Sequence, residues 1–78
     1  MTRIVKGPNK KELIDAFALR QPITVTLANG KEQQLTIKML EYAGSEDWFN
    51  FVVEITGDYG HYDSLTQKGQ LESVNDSR

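Results

Sequence analysis

Ile23, Val25 and Leu27 alternate with Thr24, Thr26 and Ala28 in the stretch PITVTLA. A period of two over residues rich in Val, Ile and Thr predicts a half-buried strand. Asn29-Gly30 breaks the run, and a second alternation follows with Leu35, Ile37 and Met39. The pair reads as a β-hairpin. Side-chain parity selects its register. A two-residue Asn-Gly turn would pair Val25 with Gln34 and set the apolar face of one strand against the polar face of the other. A three-residue loop, Ala28-Asn29-Gly30, pairs Leu27 with Lys31 and Ile23 with Leu35. Gly30 then takes a left-handed bulge position, which glycine adopts at little cost. The second register is the expected one.

Upstream of the hairpin, Ile4 and Val5 are an apolar pair too short to assign, a strand fragment or an ordered arm, and Gly7-Pro8 stops it. Asn9 stands three residues before Glu12, the spacing of a capping box. Leu13, Ile14 and Phe17 follow at helical spacing. Pro22 pushes Gln21 out of the helical region, so a helix is predicted over 9–20. Downstream, the alternation fails at Met39-Leu40, where a bend or bulge would let both side chains be buried. AGSED, residues 43–47, reads as a loop. Trp48–Thr56 reads as a third strand with Phe49, Phe51, Val53 and Ile55 on one face. His61–Gln67 reads as a fourth strand, Lys68-Gly69-Gln70 as a tight turn and Leu71–Val74 as a short last strand. Residues 75–78 read as a tail.

The strands, predicted over residues 22–74, and one short helix make a single domain across all 78 residues. An open sheet would leave one face and two edges bare. A strongly bent second strand points instead to a small antiparallel barrel. The chain has no cysteine, so neither a disulfide nor a thiolate metal site can brace so small a core; oligomerisation is the common remaining remedy. The missing cysteines fit a reducing, cytoplasmic setting. No apolar run is long enough for a membrane span.

Net charge is −2 and unevenly spread. Residues 1–39 carry seven Lys/Arg and three Asp/Glu, whereas residues 40–78 carry two and eight. The basic half includes Arg3, Lys6, Lys10, Lys11 and Arg20; such asymmetry marks either two functional faces or ordinary solvated charge. His61 has no second histidine or cysteine to complete a metal site, and Asp58, Asp63 and Ser64 near it in sequence define no triad geometry. Neither an enzyme nor a cofactor is expected.

The order helix, PITVTLANG, long bent strand, FNFVVEI, KGQLESV resembles the Sm-like (LSm/Hfq-type) family of RNA-binding proteins. The match is closest over Gln21–Gly30. It extends to Asn50-Phe51-Val52-Val53, like the end of the first Sm motif, and to Lys68-Gly69-Gln70-Leu71 with Val74, like the second. The likeness implies a strongly bent, five-stranded antiparallel barrel under an N-terminal helix. It implies a closed homo-oligomeric ring, pentamer to heptamer, in which the fourth strand of one subunit pairs with the fifth of the next. It implies single-stranded, uridine-rich RNA held near the pore, as in an RNA chaperone or an accessory of RNA processing. Phe49 corresponds to the stacking residue, Asn50 to the base-reading amide and Lys68 to the cation; Glu41 corresponds to the acidic residue before the third loop, and Gln70 lies in the second motif. Trp48 is a second stacking candidate. The chain departs from the pattern by lacking a glycine mid-way along its second strand, by a longer Ala43–Trp48 segment and by the absence of an imidazole in Gln67-Lys68-Gly69-Gln70. It is therefore a divergent member on this reading, of a size that suits a phage or mobile element. The alternative is a ring-shaped protein-binding scaffold or inhibitor that uses Glu41, Glu46, Asp47, Glu54, Asp58 and Asp63 without RNA.

Overall fold

In the computed structural model, residues 2–72 are described. They form β1 (Thr2–Lys6), α1 (Lys10–Ala18), β2 (Ile23–Leu27), β3 (Glu32–Leu35), β4 (Ile37–Ala43), β5 (Ser45–Val53), β6 (Tyr59–Asp63) and β7 (Lys68–Glu72). The strands make one antiparallel sheet in the order β3-β2-β1-β7-β6-β5-β4, curled into a half-barrel. Its two edges, β3 and β4, are consecutive in the chain, separated only by Thr36. The chain itself thus joins the edges. The Glu54 amide donates to the Thr36 carbonyl at 2.7 Å and ties that corner to the end of β5.

The local reading of the first half holds. Asn9 accepts from the Glu12 amide at 2.9 Å, and Glu12 accepts from the Asn9 amide at 3.0 Å, so both halves of the capping box are formed. The helix buries Leu13 and lays Ile14 and Phe17 on the core. The hairpin has the three-residue loop: Ile23 pairs with Leu35 and Thr24 with Gln34, the Leu27 amide donates to Lys31, and Gly30 has φ +86°. A register shift at Lys38, between Ile37 and Met39, provides the expected bulge, though Met39 is exposed and Leu40 alone packs on the core. Arg20 reaches across this bend and donates to the carbonyls of Ile37 and Lys38, both at 3.2 Å. That arginine of the basic run is therefore a structural brace for an edge strand.

The strand count changes from five to seven. The bent second strand is broken in two at Thr36, and the Ile4-Val5 arm is a full strand inserted between β2 and β7. Residues 43–47 are not a loop; β4 and β5 run on to a tight turn at Gly44. Lys68-Gly69-Gln70 is not a turn but the start of β7, and the turn falls on residues 64–67. Ile55 lies beyond β5 and is almost fully exposed. Val74 and the tail over residues 75–78 lie outside the described residues. β6 is paired on one side with β5 and on the other with β7, and β7 with β6 and β1. The edges that the resemblance assigns to ring closure are thus occupied within the chain.

The core is Ile4, Leu13, Ile23, Val25, Leu35, Ile37, Phe49, Phe51, Val53 and Tyr62. Apart from Leu13 of α1, these are inward positions of every strand but β7, which turns Gly69 and Leu71 inward. The Tyr62 hydroxyl donates to the Pro8 carbonyl at 2.6 Å, anchoring the segment between β1 and α1. Burial raises its pKa above the ordinary value, with Asp63 and Glu12 adding to the effect.

Candidate functional site

Side chains alternate across a sheet, so the positions next to the core residues share the outer face. On β5 these are Trp48, Asn50 and Val52; on β6 Tyr59, His61 and Asp63; on β7 Lys68, Gln70 and Glu72. Register aligns them in rows. Glu41 pairs with Asn50, Asn50 with His61, His61 with Gln70 and Gln70 with Arg3. This polar row crosses five strands, about 19 Å at the usual strand spacing. Trp48, Asp63 and Lys68 form the row on one side; Met39, Val52, Tyr59 and Glu72 form the row on the other.

Five of the six residues expected at a site, Glu41, Trp48, Asn50, Lys68 and Gln70, are thereby gathered on one face. Phe49 is not. It is 1% exposed, opposite Tyr62, with its ring 4.8 Å from that of Tyr42. Its parity with Phe51 and Val53 makes it core, and it presents no face to a base. Trp48, 43% exposed, and Tyr59, 39% exposed, are the aromatic side chains on this face.

Asn50 and His61 act on each other. Nδ1 of His61 lies 2.6 Å from Oδ1 of Asn50; with the amide oxygen as acceptor, Nδ1 carries the proton. The Asn50 NH2 group and the His61 Nε2 are left outside that bond. Tyr59 stands edge-on to the imidazole at 6.2 Å, and its phenol is held above its ordinary pKa by the hydrogen bond and charge of Glu72.

Beside this row is a groove of about 280 Å³ lined by Arg3, Trp48, His61, Asp63, Lys68 and Gln70, with Gly69 and buried Ile4 at its base. Among the described residues the one ion pair is Lys11–Asp15, 2.8 Å apart on the exposed surface of α1. Arg3 and Lys68 are therefore not neutralised by an ion pair there. The Asp63 carboxylate is partly committed, since it accepts from the Leu65 amide at 3.0 Å and shapes the turn into β7. Among the described residues no cluster of three His, Cys, Asp or Glu side chains is placed to hold a metal, and no helix is long and apolar enough to cross a membrane.

Sequence reading missed Arg3 and His61 as parts of this surface. Arg3 was hidden because its strand is too short to show a period, and His61 because its partner is fixed by the β5–β6 register. Once Trp48 is set opposite Asp63, that register places His61 beside Asn50, so the missing signal was the position of one turn. Comparison with protein-family models, with curated proteins and with solved structures found no match.

Proposed function

We infer that this chain is a single-stranded RNA-binding module whose reading face is the outer surface of β5, β6 and β7 with β1 alongside. The observation that carries the reading is the convergence of an exposed tryptophan, an outer-face amide and two cations without an ion pair among the described residues on adjacent rows of one sheet. Unpaired bases stack on aromatic rings and are read at their edges by amides, while cations hold the phosphates. His61 holds one side of the Asn50 oxygen, and the Asn50 NH2 is the donor available to a base edge. Uracil presents carbonyl oxygens O2 and O4 to this donor, whereas adenine meets it only through ring nitrogens; the proposed preference is for uridine-rich strands.

The order α1, β2, β3–β4, β5, β6, β7 supports a divergent Sm-like chain, with β3 and β4 as the halves of the bent second strand. A homo-oligomeric ring belongs to that proposal, but both edges of β6 are taken within the chain, and β7 offers an edge only if β1 withdraws. RNA would lie on the sheet face rather than at a loop around a pore.

The test is titration of oligouridine and oligoadenine against wild type, Asn50→Ala and Lys68→Ala at two salt concentrations. Asn50→Ala is expected to weaken uridine binding more than adenine binding, by about 1–3 kcal/mol for one base-directed contact. Lys68→Ala is expected to weaken both and to flatten the salt dependence. If wild type binds neither RNA at low salt, the reading fails, and protein binding by the acidic residues of the second half takes its place.

A further inference from the structure

We propose that the groove between Trp48, Arg3 and Lys68 is a one-nucleotide site: the base lies on Trp48 and its phosphate bridges Arg3 and Lys68. The footprint on RNA is then one to two nucleotides, not an extended track. The inference rests on the RNA reading for the class of ligand, and on separate observations for its extent.

The first is size. At about 280 Å³ the groove stands at the lower end of ligand pockets, which run from about 300 Å³ upward, so it has room for one small ligand. The second is the placement of the cations. Arg3 is opposite Gln70 on the neighbouring strand, and Lys68 is two residues from Gln70 on the same face. Diagonal neighbours of this kind have Cβ atoms about 7–8 Å apart, a gap that two long side chains span with one phosphate between them. Arginine also offers a planar fork that matches phosphate oxygens. The Gly69 backbone also lines the groove, between Lys68 and Gln70.

The third observation is what surrounds the groove. Asp63 stands between Trp48 and Lys68 in their row. Glu46 precedes Trp48 on the same face of β5, Glu72 follows Gln70 on β7, and Glu41 ends the polar row on β4. A strand leaving the groove in these directions brings its next phosphates against carboxylates. Only two cations line the groove itself. The single phosphate they bridge gives, on a single strand, a salt slope of about −0.7 in log K against log salt.

Trp48 is the sole tryptophan, so its fluorescence reports the groove directly. The full chain is titrated with uridine monophosphate, uridine and inorganic phosphate into the millimolar range, then with uridine oligomers of two, four and eight residues. Uridine monophosphate is expected to quench Trp48 and to bind at least tenfold tighter than uridine or phosphate. Affinity per binding register should level off at the dinucleotide. Arg3→Ala and Lys68→Ala, checked for an unchanged fold by circular dichroism, should each lower the affinity for the monophosphate about tenfold and leave that for uridine unchanged. Uridine matching its monophosphate, or affinity climbing through the octamer with a slope steeper than about −3, overturns the proposal. Octamer binding without a response to the monophosphate overturns the one-nucleotide site and leaves the RNA reading standing. Response to the monophosphate without octamer binding upholds the groove and overturns the RNA reading.

Discussion

Gly60→Ala is expected to be among the costlier single-methyl additions in this chain. Gly60 points into the barrel between Phe51 on β5 and Leu71 on β7. A Cβ there would fall on the Gln70 carbonyl oxygen and come within 2.8 Å and 3.0 Å of two atoms of the Phe51 ring. The ring can turn aside, but the carbonyl belongs to the β6–β7 ladder and moves only if the pairing moves. Overpacking of this kind costs about 2 kcal/mol, and one weakened ladder hydrogen bond adds about 1 kcal/mol. Alanine returns about 0.7 kcal/mol by restricting the unfolded chain. The net loss is about 2 kcal/mol, or roughly 8–16 °C in Tm for a domain of this size. Gly30 is the internal control, because its constraint is of the opposite kind. It has φ +86° and nothing within 4 Å of an added Cβ, so alanine there meets only backbone strain of about 1–2 kcal/mol. Asparagine tolerates the left-handed region, and Gly30→Asn should therefore recover stability relative to Gly30→Ala. Gly60→Asn should lose more than Gly60→Ala, because the larger side chain must enter the same space. Thermal unfolding followed by circular dichroism measures all four. An unchanged Tm for Gly60→Ala, or the same order of Ala and Asn at both sites, would refute the argument from space at one and backbone at the other.

Three further outcomes are expected. Phe49→Ala should cost about 3–5 kcal/mol of stability in denaturant unfolding, as a buried ring does; retention of full stability together with lost RNA affinity would return Phe49 to the binding face. Tyr62→Phe should lose about 1 kcal/mol at pH 7 with its hydrogen bond to Pro8. The folded-state pKa of Tyr62 is raised above the ordinary 10.0, so the unfolded chain gives up this proton first and the wild type loses stability as pH climbs past about 10. The gap between wild type and Tyr62→Phe should therefore narrow between pH 9 and pH 11, and a widening gap would contradict the burial argument. Light scattering at micromolar concentration tests assembly: five to seven copies is the outcome under the Sm-like reading, and a well-folded monomer removes the ring while leaving the outer face as it is.

The parts of the fold legible in sequence are those set by near neighbours. The capping box joins residues three apart, and the Ile23–Leu35 register follows from parity across three loop residues, so both could be read without knowing anything distant. The misread parts depend on contacts across the sheet. Ile4-Val5 is a strand because β7 and β2 flank it, and β7 is far away in sequence. Gly69 looked like a turn residue, yet it lies where the β6 backbone approaches closely; an added Cβ would meet the His61 carbonyl. Gly44 and the acidic residues after it suggested a loop, although one glycine suffices for the turn and the rest pair. Phe49 shows the same limit at the site. Its parity with Phe51 and Val53 pointed inward, but only the closing of the sheet over it decides between core and platform. Trp48, Asn50, Lys68 and Gln70 were each visible as candidates, whereas their common surface depended on two hairpin registers that no local pattern announces.

The pairing of β1 with β7 also orders events in time. Thr2 lies beside Leu71 and Arg3 beside Gln70, so the first of the described strands to be made has as its neighbour the last of them. Closing a loop of that length precedes any gain from the contacts it allows. During synthesis β1 can pair with β2, but its other edge stays open until β7 emerges. The helix and the β2–β3 hairpin, with their short-range contacts, can form early; the outer face that gathers Arg3 with Lys68 and Gln70 comes into being only once β7 is made. A chain cut before β7 would present that open strand edge to its neighbours, which makes truncated or stalled products of this sequence prone to aggregation.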